Sequence, residues 1–374
     1  MKAPERPAWW RWPILVLLVL FWRRQRDEFY PEGRPPSLVR VDRRANILRA
    51  LAAQDWLLLL YLVTLGGEIL AGHGPKRSLA FSLVAADLLI FVAVLFHVRR
   101  SSSQPTAPRA FLYRIGILVA LLGSFFELQW ILPAASGSNV DASLYALDLR
   151  VFGVEPAVTW DRFVRPATTE WFAFFYYGYF IIVALHVLPA MFFGRDQRFL
   201  VTLGFGFLWL YCVGHVVYTL VPAYGPYAHL TFAHRLEGAV WWPLVKRTVA
   251  SVDGSARTDV FPSLHTAGPT FLALFSFSSR KRVPFKYTWI PLGFVATQIV
   301  IATMFLRWHY LIDICAGILL AVSGMIMGRV ALRWDDARVA AGGPPAWPPL
   351  AVSGSILARP AGRASRRAQD APSA

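Results

Sequence analysis

The sequence predicts an all-α, polytopic membrane protein, and three observations carry that reading: its composition, the length of its apolar runs, and the placement of basic residues between them. Hydrophobic residues make up 56% of the 374 and charged residues only 16%, and mean hydropathy is positive, a balance foreign to soluble domains. Runs long enough to cross a bilayer, which takes about 20 residues, fall at about 55–72, 78–98, 111–134, 170–193, 199–221, 260–280, 286–306 and 308–330. Each is bounded by Pro, Gly or charge, so about eight spanning helices are expected. The 15 Trp and 27 Phe fit the same picture, since Trp collects where lipid meets water.

The formal net charge of +16 would suggest a nucleic-acid partner in a soluble protein. Here the Lys and Arg residues lie in short clusters between apolar runs, which reads as topology and argues against nucleic acid. The connections at 23–49, 99–114, 194–198 and 280–286 and the tail after Arg329 are basic; all fall on one side if every run spans once, and that side is then cytoplasmic. The connections at 135–169, 222–259 and near Arg307 face the other way and carry most of the turn-forming and polar chemistry. One exception is the 73–77 hairpin, where Lys76 and Arg77 lie on the outer side.

The ends of the chain read differently. Residues 12–22 form an apolar stretch of roughly eleven residues, too short to span, without a small-residue cleavage site and followed at once by Arg23, Arg24 and Arg26; 1–50 is therefore expected to be a basic cytoplasmic or interfacial segment. Residues 51–110 supply two accessory spans and 111–334 a six-helix core. The tail, 335–374, with Gly342-Gly343-Pro344-Pro345 and a run of Ala, Ser and Arg, is expected to be disordered. Cys212 and Cys315 lie inside apolar runs, which indicates neither a disulfide framework nor a zinc site.

Two short motifs carry the chemistry. Pro262-Ser263-Leu264-His265 opens an apolar helix, with Ser263 or Asp259 as cap and Pro262 suited to the first turn. A helix start offers free N–H groups and a favourable dipole to an anion, and His265 would stand beside a phosphate bound there. An exposed polar residue at a helix start is the bland alternative. In the second motif, His309-Tyr310-Leu311-Ile312-Asp313, His309 and Asp313 are four residues apart at a helix end and project from one face. A carboxylate at that reach fixes an imidazole tautomer and leaves the other nitrogen nucleophilic, whereas a self-satisfied structural pair is the alternative. Two such helix starts on one face supply a nucleophile, an acid and a phosphate cradle.

In these motifs the chain resembles the type 2 phosphatidic acid phosphatase superfamily over about 111–330, and within it the branch related to inositol phosphorylceramide synthase, through the His309-Tyr310 wording and the Pro222-Ala223-Tyr224-Gly225-Pro226-Tyr227 segment. The resemblance implies catalysis by His309, His265 and Asp313. The phosphatase branch has a Lys and an Arg in its first motif and a Ser-Arg pair before the nucleophile; here Ala302 and Thr303 stand at the pair, and no Lys or Arg lies between Phe199 and His234. Phosphate must then be held by Arg307, by backbone N–H groups near Ser263, and by His215, Tyr218 or Tyr224. Asp148, with Arg150, would floor the site.

The expected activity is a membrane phosphotransferase moving a phospho-headgroup such as phosphoinositol from a phospholipid donor to a lipid alcohol such as ceramide or diacylglycerol, through a phosphohistidine. The alternative is a lipid phosphate phosphatase acting on phosphatidic acid or an isoprenyl phosphate, with water as acceptor. No cofactor or metal is expected, because the outer segments show no carboxylate cluster suited to magnesium or calcium. A transporter is the rival from another class, with Glu68, Asp87, Glu127 and Asp313 lining a path; it requires those acids to converge while His265 and His309 stay apart. Glu68, Asp87, Glu127 and His186 otherwise pack against neighbouring helices, and His229, His234, Arg235, Lys246, Arg247 and Arg257 are expected on a solvated face. The short Arg-rich loops point to a bacterial inner membrane with the site facing the periplasm.

Overall fold

In a computed structural model, residues 47–100, 106–194, 196–252 and 258–350 are described. The expectations placed on 1–46, Arg195, Arg257 and the tail beyond 350 lie outside them. Ten helices longer than one turn follow in order: α1 (Ala53–Ala71), α2 (Arg77–Arg99), α3 (Ala107–Ala135), α4 (Asp141–Phe152), α5 (Pro166–Phe193), α6 (Gln197–Leu220), α7 (Trp241–Val252), α8 (Leu264–Ser278), α9 (Phe285–Phe305) and α10 (Leu311–Ala340). Seven of them, all except α4, α7 and α8, are long and apolar enough to cross a membrane. The chain is an all-α, polytopic membrane protein.

The eighth expected span, 260–280, is the exception. It folds as α8, with 15 residues and a rise of roughly 22 Å, because Ser263 caps it late and the segment before Ser263 belongs to the site. Pro262 accordingly precedes the cap and does not occupy the first turn. Even so, α8 runs the length of the core. Its head meets α10 where the Ser263 N–H donates to the Asp313 carbonyl (3.2 Å). Beyond its tail, Arg282 pairs with Asp196 of the α5–α6 connection (2.8 Å), beside which Arg198 pairs with Asp336 near the end of α10 (2.8 Å). The bundle thus has a site end and an opposite end.

Each helix start has a local reason. Asp196 accepts from the N–H groups of Arg198 and Phe199, Ser263 accepts from Thr266 (3.2 Å), and Pro166 opens α5, where its missing N–H is of no consequence. Small residues let helices approach closely, as membrane packing favours. A Cβ on Gly206 would lie 2.8 Å from the Gly324 carbonyl oxygen, and one on Gly317 2.6 Å from that of Ser263, so α10 is drawn against α6 along its length and against α8 at its head.

The opposite end holds a buried polar knot. Asp55 accepts from Arg99 (2.9 Å) and from the Tyr113 hydroxyl (2.5 Å). Arg99 and Gln54 also donate to the Ala346 carbonyl, and Arg114 donates to the carbonyls of Met191 (2.6 Å) and Pro348 (2.7 Å). Here the structure departs from the expected disorder of 335–374: α10 continues to Ala340, and Trp347 is 3% exposed, set edge-on to Tyr113 and bracketed by Gln197 through both its N–H and its C=O. Composition predicts disorder by average polarity, but one indole and a row of carbonyls with matched donors outweigh it. The 73–77 hairpin sits at the site end, as its sequence position requires, with the Gly74 N–H bonded to the Ala134 carbonyl (3.1 Å). Trp347→Ala should lower stability by about 3–5 kcal/mol, read as a lower midpoint when loss of monodisperse protein is followed against temperature in detergent.

Candidate active site

The site is built where the heads of α8 and α10 meet. His265 lies in the first turn of α8, its ring stacked on Tyr176 of α5 (centroids 4.4 Å apart, planes 10° apart) and against Tyr179 (4.2 Å). His309 stands just before α10 and is 4% exposed. The two imidazole centroids are 6.4 Å apart. Asp313, fully buried, brings Oδ2 to 3.5 Å from His309 Nδ1, longer than the roughly 2.9–3.0 Å of a good N–H···O bond; such contacts commonly tighten once substrate is bound. The same Oδ2 accepts the Tyr310 N–H (2.8 Å).

His309 is held by the corner between α9 and α10. The N–H groups of Trp308 and His309 both donate to the Thr303 carbonyl, and the His309 ring is hydrogen-bonded to the Val260 backbone. Burial pushes its pKa down to about 4, although Asp259 and the Val260 bond oppose the shift. At neutral pH the imidazole is therefore uncharged, the form a nucleophile needs.

Several residues expected to touch phosphate have other partners. Arg307, at a positive φ of 68°, donates from Nη2 to Asp161 Oδ1 (2.7 Å) and to the His234 carbonyl (2.6 Å) and lies 4.0 Å over the Phe232 ring. Its charge is balanced by Asp161. Burial raises the Asp161 carboxyl, but hydrogen bonds from the His234 ring and backbone and the Arg307 charge outweigh it and hold the carboxyl below its ordinary range. His234 is exposed, as expected of a solvated face, and also forms part of this clamp. His215 is fully buried, shares a hydrogen bond with the Tyr61 hydroxyl of α1 (2.8 Å) and stacks on Phe125 of α3, which places it in the packing between accessory helices and core.

Tyr218 is 3% exposed and bonds to the Leu264 backbone, and Ser263 caps Thr266, so the backbone groups expected to cradle phosphate are in part already engaged at the head of α8. Tyr224 is half-buried; its N–H, with that of Gly225, donates to Asp141 (2.9 and 2.8 Å), which also accepts from the Tyr310 hydroxyl (3.1 Å). Asp148 is fully buried and lies under α10 instead of flooring a substrate pocket: its two oxygens accept from the N–H groups of Leu311 (2.7 Å) and Ile312 (2.8 Å).

Other site residues had no clear signal in the sequence. Tyr176 and Tyr179 lie in the aromatic run 175–180, which spanning character alone explains. Trp308 extends the cage beside Tyr227 (4.9 Å) and Trp242 (6.3 Å). Glu170 binds the N–H groups of Val240, Trp241 and Trp242 and so anchors α7 against α5. The acids of the transporter reading do not converge with the histidines apart. Glu68 takes a hydrogen bond from Thr219, Asp87 packs against Gly123 of α3, and Asp313 stands with His309. His186 is bonded within its own helix, to the Ile182 carbonyl (2.7 Å).

A polytopic helical bundle with two facing histidines at one end, one of them partnered by a buried aspartate, defines a class of membrane enzymes acting on phosphate esters. The comparison with known families agrees: residues 143–327 match the PAP2 superfamily, and over that stretch the chain belongs to the type 2 phosphatidic acid phosphatase superfamily of lipid phosphatases and phosphotransferases. The match spans nearly all of α4 to just over half of α10 and both histidine motifs, and leaves α1, α2 and α3 outside. No curated protein and no solved structure matches the chain.

Asp161→Ala should destabilise the protein by about 3 kcal/mol, since it leaves the Arg307 guanidinium buried without its counter-charge. In denaturant or thermal unfolding, the double replacement with Arg307→Met should cost less than the sum of the two single changes.

Proposed function

We propose that this protein is a lipid phosphate phosphatase that works through a phosphohistidine on His309, with phosphatidic acid or an isoprenyl phosphate as substrate. The observation that carries the reading is the placement of His265 and His309 at the heads of two packed helices, with Asp313 beside His309. Hydrolysis, the alternative at the level of sequence, takes the lead because the matched superfamily is that of the phosphatidic acid phosphatases.

In this mechanism a His309 nitrogen lone pair attacks phosphorus in line, and the P–O bond to the lipid breaks. The departing oxygen takes a proton from His265, which enters the step as imidazolium; burial first, and then His309, lower its pKa to about 3, and the bound phosphate anion beside it favours the charged form. Water then attacks the phosphohistidine, the P–N bond breaks and water's proton goes to His265, which returns to imidazolium while His309 returns to neutral imidazole and phosphate leaves. The hydrogen bond between His309 and Val260 yields to substrate, and Asp313 stabilises the charge that develops on the ring. The Arg-rich connections at the opposite end support a bacterial inner-membrane orientation with the site facing the periplasm.

A second reading, transfer of a phospho-headgroup to a lipid alcohol such as ceramide or diacylglycerol, is favoured by two observations: Arg307 is paired with Asp161, and Ala302 and Thr303 stand where the phosphatase branch has its Ser-Arg pair. An Arg307 whose charge is already balanced suits a singly charged phosphodiester better than a phosphomonoester.

Purified protein offered phosphatidic acid should release inorganic phosphate; a new phospholipid formed only when phosphatidylinositol and a lipid alcohol are supplied would favour the second reading. His309→Ala should abolish either activity, and His265→Gln should slow it by about 10²–10⁴-fold; full turnover without His309 would rule the mechanism out. Because protonation removes the attacking lone pair, kcat/KM should fall as pH drops through about 4, a limb visible in a pH–rate profile.

A further inference from the structure

The carboxyl pair beneath the head of α10 has no part in the mechanism above. Glu155, in the turn after α4, is 2% exposed, and Asp148 of α4 is fully buried. Both Asp148 oxygens accept backbone N–H groups of α10. Glu155 Oε1 accepts from the Ala157 N–H (3.0 Å), while Oε2 is buried and meets no donor N–H or O–H among the described residues. The Glu155 carboxyl is nevertheless within hydrogen-bonding reach of the Asp148 carboxyl. Two carboxyls make that contact only if one of them carries a proton, and Asp148, already an acceptor at both oxygens, is the poorer place for it.

We propose that Glu155 is a positioning residue: it stays protonated and donates to Asp148, and the joined pair fixes the first turn of α10 and with it the His309–Asp313 geometry. The activity part of this inference rests on the phosphoryl-transfer reading of the site.

The surroundings explain why the proton is kept. Burial first, then the contact with Asp148, pushes the Glu155 carboxyl up to about 9, and Asp313 adds to the shift. Among the described residues, the titratable groups facing the pair are Asp141 of α4 and Tyr310, Asp313 and Cys315 at the head of α10. Every one is an acid, so an ionised Glu155 would stand unpaired among carboxylates. The sign follows: the pair is intact below about pH 9 and is pushed apart as pH rises through that value. Loss of the Asp148 contacts then frees two N–H groups of α10 one turn from the nucleophile.

The test uses the full chain in detergent or nanodiscs and the lipid-phosphate assay. Glu155→Gln keeps a donor toward Asp148 and cannot ionise, so it should retain neutral-pH kcat within about twofold and lose the alkaline limb near pH 9. Glu155→Ala should lower kcat about 100-fold with little change in KM, the scale expected when reacting groups are displaced by about an ångström. An unchanged alkaline limb in Glu155→Gln, or wild-type kcat in Glu155→Ala, overturns the proposal. Infrared difference spectra give a readout independent of activity: a protonated-carboxyl C=O band should be present in the wild type at neutral pH, titrate away near pH 9, and be missing in Glu155→Gln. Presence of that band with no lipid-phosphate turnover would overturn the functional reading alone; its absence overturns the carboxyl pair whatever the activity, and Glu155→Gln keeps the test open if Glu155→Ala does not fold.

Discussion

His309 can face His265 only if the head of α10 is buried, and a buried helix end presents amides that neither lipid nor protein interior can solvate. The protein meets this constraint with carboxylates. Asp148 takes the N–H groups of Leu311 and Ile312, and Asp313 takes that of Tyr310. Because the helix dipole is positive at that end, the negative charges are favoured where they stand. One consequence is that this helix start, already filled by its own acids, is closed to phosphate. Another is that Asp313 has two duties, capping its helix and facing His309, so the His309–Asp313 pair and the helix start are one construction.

The same constraint organises the outer segments. Asp141 binds the N–H groups of Tyr224 and Gly225 and the Tyr310 hydroxyl, which ties the 222–227 segment to the motif. Asp161 joins Arg307, His234 and Ala233, and Glu170 binds the start of α7. Each acid gathers backbone N–H groups from a loop or from a helix start. A loop between membrane helices must satisfy its polar groups locally where it is shielded from water, and a carboxylate with two oxygens serves several of them at once. At the opposite end Asp55, Arg99 and Arg114 do similar work, fastening α1–α3 and the segment around Trp347 to the core.

How far the sequence could be read depended on the range of the interaction involved. Spanning helices are set by runs of apolar residues, so seven were legible. The short α8 was misjudged in length, because its upstream residues are apolar yet belong to the site. The 335–350 segment was misjudged because average composition hides a single well-packed Trp347. At the site, the nearness of His309 to Asp313 was visible as a four-residue spacing, although His309 lies before the helix and not on its face, because Tyr310 caps α10 in extended conformation; the cap at Ser263 was visible as a residue type. The functions suggested for Arg307, His215 and Asp148 were not visible, since each depends on a partner distant in sequence: Asp161, Tyr61 and the α10 amides.

The sequence by itself determined the solvent, the position and rough length of seven spanning helices, and the two histidine motifs, because hydropathy and residue spacing are local properties that survive whatever the chain packs against. Only the tertiary structure decided which charges are free and which are neutralised, that Tyr176 and Tyr179 enclose His265, and that Glu155 and Asp148 meet beneath α10. Those outcomes depend on contacts between segments far apart in the chain, where burial strengthens electrostatics and leaves an unpaired group costly, and neither effect exists until the helices have come together.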